Sequence, residues 1–388
     1  MNFEFTEEQI MLRDSVARFV QDDYSFDARK EIARSEAGMS RDNWGTFAEL
    51  GWLSIPFAEE HGGFGGGPVD VMVVMEQLGK GLVLEPYLAT VLLFGGLLQK
   101  GGSAQLQGEY IPQIIEGSCL GAFAYLERQS RFELADVATT ATASEGGYRL
   151  DGEKVVVFNG ANADQLIVSA RTSGEQGDED GISLFLVPAD AAGIEKLQYR
   201  MMDGQLVANL VFSGVEVPAA NLVGQLDRGF ELMQSVIMEA IMALGAEAVG
   251  IMEQLNAKTL EYTKTRKQFG VAIGSFQALQ HRMVETFMAY EQTKSLLYRA
   301  VCAFTDEKED TATAVHALKV MVDRAGKLVF GEAIQLHGGM GLTDELDIGH
   351  FAKRLMMIIT TFGNGDYHQA QFNTLRYGSQ TPTTGASS

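Results

Sequence analysis

Four long apolar-periodic segments, at about 230–265, 276–304, 311–337 and 346–375, set the strongest limit on what this chain can fold into. Apolar residues recurring every three to four positions over such lengths make amphipathic helices, and four in succession pack as a bundle. A helical period also runs from about Thr6 to Lys100, through Ile10, Val16, Phe19 and Val20, then Trp44, Phe47, Leu50 and Leu53, then Val71 to Leu84, with Gly and Pro as punctuation. Between the two, from about Cys119 to Pro218, the texture changes to short β-rich runs: Arg149 to Phe158, Gln165 to Ala170, Ile182 to Val187, and Leu206 to Phe212. The stretch from Thr172 to Asp180 reads as a solvated acidic loop, and the end from Gln380 to Ser388, which lacks apolar content, as a mobile tail. The predicted class is α+β: an N-terminal α-helical domain over 1–117, a middle β-domain over 118–220, a C-terminal four-helix bundle over 221–378 and the tail over 379–388. No internal repeat is present.

At 388 residues and 46% hydrophobic, the chain can bury substantial cores without staples. Its two cysteines, Cys119 and Cys302, lie far apart, which excludes a disulfide framework and predicts a cytoplasmic protein in a reducing compartment. The start, Met1 to Glu8, is acidic rather than a basic-then-apolar leader, and no apolar run approaches the roughly 20 residues a bilayer span needs, so no membrane is expected. A formal charge of −21 argues against nucleic acid. An anionic ligand must then be held by local cations against an unfavourable field.

Familiar catalytic motifs are missing. There is no Gly-x-Ser-x-Gly elbow, Walker A loop, His-Glu-x-x-His or Cys-x-x-Cys, and the six histidines lack metal-ligand spacing, which leaves them structural or surface roles and predicts no metal. Gly62 to Gly67 is glycine-rich but follows a helical region with no preceding strand, which argues against a dinucleotide fingerprint. One segment does suggest chemistry: Arg266-Lys267-Gln268-Phe269-Gly270, followed by Ile273-Gly274-Ser275-Phe276-Gln277 and Gln280. An arginine can hold a pyrophosphate bidentately, a phenyl ring can face a heteroaromatic ring, and Gly270 lets the backbone reverse. A plain helical hairpin with a charged turn would look the same. Some sixty residues on, Gln335-Leu336-His337-Gly338-Gly339-Met340-Gly341 ends a helix in glycines that allow close backbone approach.

The two segments, in this order, resemble the acyl-CoA dehydrogenase family. The likeness extends to Pro56–Gly65, similar to the family's Pro-x-x-x-x-Gly-Gly-x-Gly loop, to Leu150–Lys154 with Asn159–Asp164, similar to its central hairpin, and to Val217–Gly224, similar to the segment leading back into helix. The resemblance implies the family's three-domain fold, FAD as cofactor, an acyl-CoA substrate, electron-transferring flavoprotein as acceptor, and a homo- or heterotetramer. It implies FAD contacts from Arg266, Gln268, Phe269, Phe276, Gln277, Gln335, Gly338 and Gly339, with Arg266, Phe269, Gln335 and Gly339 reaching the ADP half of a neighbouring subunit's flavin.

The resemblance also exposes gaps. Family members take the substrate α-proton with a Glu, which in most of them follows the Gly-Gly turn by roughly two dozen residues; counting ungapped from Gly339, that slot falls on Phe362. In a minority the Glu lies on the first bundle helix, and that slot falls on Ala240. Glu239 is adjacent, and three readings stay open for it: a partly exposed structural residue, a contact to cofactor or partner, or a displaced base. Where the family has Thr-Glu-Pro and then Gly-Ser-Asp, this chain has Leu126-Glu127-Arg128 and Gln129–Phe132; where it has Trp-Ile-Thr-Asn, this chain has Val156-Val157-Phe158-Asn159. Residues that serve a neighbour's flavin are kept, and those around the chain's own are changed. That pattern resembles the small-subunit type of the family, found in pimeloyl-CoA and steroid side-chain dehydrogenases that pair with a Glu-containing member. An active homotetramer using Glu239, and a flavin-free scaffold or acyl-CoA-binding protein, are the alternatives.

Overall fold

The computed structural model describes residues 5–306 and 310–378, so the expected tail at 379–388 lies outside the described residues. The chain forms two compact units that divide at Ala243/Leu244.

The first unit opens with helices α1 (Glu7–Asp22), α2 (Phe26–Arg34), α3 (Arg41–Glu49) and α4 (Pro68–Gly81). Each of the first three starts where a side chain takes a free backbone N–H: Thr6, in a capping box with Gln9, then Ser25 and Ser40. Their apolar faces meet in an aromatic cluster, with Phe19 edge-on to Phe47 at 5.2 Å and to Trp52 at 5.6 Å between ring centres. Each such fully buried ring contributes on the order of 1.5–3 kcal/mol from desolvation. The Gly62–Gly67 loop folds back on its own turn, Gly65 N–H donating to Phe57 O and Gly66 N–H to Ile55 O, both at 2.7 Å. A side chain on Gly63 would come within 2.0 Å of the Phe57 carbonyl oxygen and one on Gly66 within 2.8 Å of the Ile55 carbonyl oxygen, so these two glycines answer a packing need. A wide helical turn from Tyr87 to Gly95 then runs into α5 (Gly96–Gly101) and α6 (Ala104–Ile115).

The sheet of this unit contains β1 (Gly121–Ala124), β2 (Thr140–Ser144), β3 (Gly147–Phe158), β4 (Gln165–Arg171), β5 (Ile182–Pro188), β6 (Ile194–Arg200), β7 (Leu206–Pro218) and β8 (Leu222–Val223). Its order is β6-β7-β3-β2-β4-β5-β8, with β1 parallel to β4. The four runs expected from sequence are β3, β4, β5 and β7; β1, β2, β6 and the short β8 are additional. Helix and sheet interlock tightly: Thr90 Oγ1 donates to Gly121 O at 3.0 Å, and a Cβ on Gly121 would sit 2.1 Å from the Phe94 ring. Buried Arg29 donates to Leu82 O at 2.8 Å and to Asp203 O at 2.7 Å. The acidic loop turns its carboxylates outward but its carbonyls inward, where Arg171 donates to Asp178 O at 3.1 Å and Asp180 O at 2.9 Å.

Helix α7 (Gly229–Thr265) begins in the first unit and continues into the second, which also holds a small hairpin of β9 (Lys267–Gln268) and β10 (Val271–Ala272), then α8 (Gln277–Asp306), α9 (Thr311–His337), α10 (Ile348–Thr360) and α11 (Gly365–Tyr377). On length and composition α7 could cross a bilayer, although Glu239 and Glu247 interrupt its apolar run; most of that run is buried inside the protein, as in a core helix. The helix expected over 346–375 is two helices, because Phe362 (φ +59°) and Gly363 (φ +117°) leave the right-handed region and break it.

Candidate cofactor-binding site

The Arg266 segment is a hairpin between two long helices. Gln268 pairs with Val271 and Lys267 with Ala272, Phe269 has φ +54° and Gly270 φ +83°. The turn therefore presents Phe269 outward: it is 92% exposed, with Phe276 edge-on to it at 6.4 Å. Among the described residues no hydrogen bond or ion pair engages the Arg266 guanidinium, and Gln268 and Gln277 are exposed beside it. The second segment lies at the same end of this unit, because Tyr262, in the last turn of α7, stacks on His337, the last residue of α9, at 4.3 Å, and its hydroxyl donates to His337 O at 3.3 Å. Gln335, Gly338 and Gly339 are exposed there. A Cβ on Gly338, Gly339 or Gly270 would meet nothing within 4 Å. No neighbour in the chain demands the smallness of Gly339, so the open backbone is available to a group from outside.

An unpaired cation, two exposed phenyl rings and open glycine backbone fit the ADP portion of a dinucleotide: the cation can neutralise a pyrophosphate, and a ring can cover an adenine or ribose face. All eight predicted contact residues thus lie on this unit, in the hairpin, the first turn of α8 and the end of α9. Tyr262 and His337, which bring the two segments together, carry no sequence signal of that role.

The β-domain segments lie in the other unit, and here the polar groups look inward. Glu127 and Lys154 form a buried pair at 2.7 Å, and Lys154 Nζ also donates to Ser169 Oγ at 2.9 Å. Glu127 accepts the backbone N–H of Ala138 at 2.8 Å and of Thr139 at 3.0 Å. Burial alone would raise the Glu127 carboxyl, but Lys154 and these hydrogen bonds outweigh it and hold it at about 2; burial in turn lowers Lys154 to about 8. The pair is a charged bracket behind the sheet. Strand β3 bulges between Lys154 and Val157, and both bulge amides leave the ladder: Val155 N–H donates to Leu126 O at 2.8 Å and Val156 N–H to Asn209 Oδ1 at 3.0 Å. Tyr199 also donates to Asn209 Oδ1, at 3.1 Å. Phe158, half-buried after the bulge, lines a cavity of about 40 Å³ with Asn159, Glu85, Pro86, Leu88 and Ala89. A pocket that takes a cofactor-sized molecule is nearer 300–1,000 Å³.

Of the proton acceptors considered from sequence, Glu239 pairs with Lys100 of α5 at 2.8 Å, both side chains about 35% exposed. Ala240 is fully buried. Two turns along the same face of α7, Glu247 is buried, but both its oxygens accept from Arg354 of α10, at 2.5 and 2.8 Å.

Strain marks the same places. Seven described non-glycine residues have positive φ, and five of them, Arg131, Val156, Asn159, Phe269 and Phe362, fall in the segments singled out above. Val156 at +51° is notable because a β-branched residue resists this region at a cost of roughly 1–2 kcal/mol. Such outliers cluster where backbone geometry serves a site.

Known proteins resemble this chain along most of its length. Family models for the acyl-CoA dehydrogenase N-terminal, middle and C-terminal domains match residues 6–118, 122–215 and 227–372. A probable acyl-CoA dehydrogenase, YngJ, of Bacillus subtilis is 30% identical over 364 residues, covering 90% of this chain and 92% of the relative. Among solved structures, an FAD complex of PigA superposes with a TM-score of 0.90 at 26% identity, and the ChsE4–ChsE5 complex from Mycobacterium tuberculosis with 0.88 at 25%; each covers 97% of this chain and 99% of the other.

Proposed function

The chain belongs to the acyl-CoA dehydrogenase family, and from that premise we propose that it is an FAD-associated subunit of an oxidoreductase that dehydrogenates an acyl-CoA thioester, acting as the base-deficient half of a heteromer. One observation supports the finer part: the outward-facing set is intact, with no ion pair or side-chain hydrogen bond among the described residues, while the inward set is replaced. Arg266, Phe269, Gln335 and Gly339 point away from their own chain. Leu126, Val156 and Phe158 stand where hydroxyls and an indole serve a flavin ring in relatives, yet Val156, Asn159 and Phe362 hold left-handed φ. Side chains have changed more than the scaffold. The pairing in ChsE4–ChsE5 is a precedent within the fold.

In this role Arg266 would bind and orient FAD by neutralising its pyrophosphate, Phe269 and Phe276 would offer apolar cover to its adenosine end, and the open backbone at Gly338 and Gly339 would leave room for it. FAD, when bound, supplies the acceptor for the two electrons and hydrogen leaving the substrate. Phe362 and Ala240 cannot take a proton, so proton removal falls to a partner subunit bearing the Glu. The outer stripe of α8, Val284, Phe287 and Met288, each at least half exposed, offers an apolar surface for tetramer packing. The acceptor in this reading is an electron-transferring flavoprotein.

Replacing Arg266 with Ala should weaken FAD binding by about tenfold or more while leaving the fold intact, since a hydrogen bond to a charged group is worth about 1.5–3 kcal/mol. Flavin absorbance per protomer after gel filtration, together with the unfolding midpoint, checks this. Full flavin content with unchanged affinity in Arg266→Ala would remove the basis of the assignment.

A further inference from the structure

Helix α9 carries a polar stripe toward the chain between α10 and α11. His316, Lys319 and Asp323 stand at i, i+3 and i+7, on one helix face, and each grips a different part of the stretch from Ile358 to His368. Buried Lys319 donates to the carbonyls of Ile358 and Ile359, the latter at 3.2 Å, which satisfies the last turn of α10. Asp323 lies against Gly365, where a Cβ would come within 2.7 Å of its carboxyl carbon, and accepts from Lys327 at 2.7 Å. His316 Nδ1 is 2.7 Å from His368 Nδ1, and His368 Nε2 is 3.0 Å from the Phe362 carbonyl oxygen. A Cβ on Gly363 would sit 2.6 Å from the same Nε2, so the imidazole underlies the turn directly.

These contacts determine both tautomers. A carbonyl oxygen only accepts, so Nε2 of His368 carries hydrogen; the neutral ring then has a lone pair on Nδ1, and His316 must donate from its own Nδ1. A charged His368 would set two N–H groups head to head unless His316 moved its own hydrogen to Nε2, so charging His368 breaks the arrangement of the neutral pair. Burial, then His316, then Lys319 push His368 down to about 3, and burial lowers His316 to about 4 against the opposing pull of Asp310.

We infer that His368, locked in one tautomer by His316, is a positioning residue that fixes the Thr361–Gly365 turn, with Phe362 and Gly363 both at positive φ, and so holds the backbone where most relatives place the catalytic base. The significance of position 362 rests on the reading above; the clasp does not.

Hydrogen–deuterium exchange of peptides spanning Thr360–His368, in the whole protein, tests it without flavin or activity. His368→Gln keeps both bonds, its amide nitrogen donating to Phe362 O and its amide oxygen accepting from His316; His368→Leu removes both. At neutral pH the Leu variant should open this turn about tenfold more than wild type and the Gln variant about as little as wild type, with the β4 and β5 peptides unchanged. Acid adds a signature that mere packing would not move. The open histidines titrate near 6.5 and the closed ones well below, so the open form binds more protons and opening grows as pH falls from about 6 to about 4. The charged groups facing the pair are Asp310, Lys319 and Asp323 of α9, with Lys327 on Asp323; they are the same in wild type and His368→Gln, so a smaller acid response in the Gln variant isolates the histidines. Should Leu at 368 prevent folding, His316→Leu removes the tautomer lock alone and should open the turn severalfold. A wild-type rate in the Leu variant that folds, a Gln variant as open as Leu, or an unaltered acid response in Gln would overturn the inference.

Discussion

Arg354→Leu is expected to remove about 3–5 kcal/mol of stability, the cost of leaving a buried charge without its partner. Arg354 is 6% exposed and Glu247 5%, and the guanidinium meets both carboxylate oxygens, at 2.5 and 2.8 Å. The geometry is the bidentate fork that makes such pairs strong, and it ties the middle of α7 to α10. The loss should come from the stranded carboxylate, because desolvating two charges offsets much of what their attraction contributes. The double variant Glu247→Leu/Arg354→Leu should therefore recover most of it. Urea unfolding followed by circular dichroism measures both, with the slope compared between variants because two units need not unfold together. A single variant that loses less than about 1 kcal/mol, or a double variant no better than the single, would mean that the pair is not a buried charge pair in solution. The same fork bears on function: Glu247 follows Ala240 by two turns on one face of α7, yet both its oxygens are already taken.

What could be foreseen from the chain follows from how local each feature is. The long helices announce themselves because their period repeats over many turns, and β3, β4, β5 and β7 because their apolar faces are buried. Strand β6 was not legible: most of its residues are exposed, so no inward-outward alternation marks it, and β1 and β2 are too short to show a period. The break at Phe362 is likewise hidden, since apolar spacing continues across it and only the backbone conformation interrupts the helix. The outward-facing residues of the candidate site were readable, being contiguous in two motifs. Contacts such as His316 with His368, 52 positions apart, and Arg354 with Glu247, 107 apart, have no local trace at all. Histidines that look scattered along the chain can thus be paired in space. Asn209 is a similar case, because nothing in its neighbourhood indicates that Val156, in another strand, needs its side-chain oxygen.

Purified alone, the chain is expected to reduce an electron acceptor with acyl-CoA at least about a hundredfold more slowly than a complex with a Glu-containing family member, since a positioned general base contributes on the order of 10²–10⁴ in rate. The two nonpolar base slots, Phe362 and Ala240, motivate the deficit, and the asymmetry of kept and replaced residues sets the flavin count. If this subunit offers Arg266, Phe269, Gln335 and Gly339 to a partner's flavin but cannot seat a ring beside Phe158 and Leu126, an α2β2 assembly should hold two FAD rather than four. On the proposed reading Phe158 supplies the steric part: a phenyl ring stands where the family carries a small hydroxyl residue, so a flavin edge there would meet overpacking as well as a missing hydrogen bond. Co-expression with a Glu-containing family member, release of the flavin and quantitation per particle measure the number directly. Four flavins per α2β2 particle would exclude the asymmetric site. A lone homotetramer carrying one flavin per subunit, active with acyl-CoA and silenced by Glu239→Gln, would instead make Glu239 the base and Lys100 its partner at 2.8 Å. Colourless protein from both preparations would leave only the fold of the family and none of its chemistry.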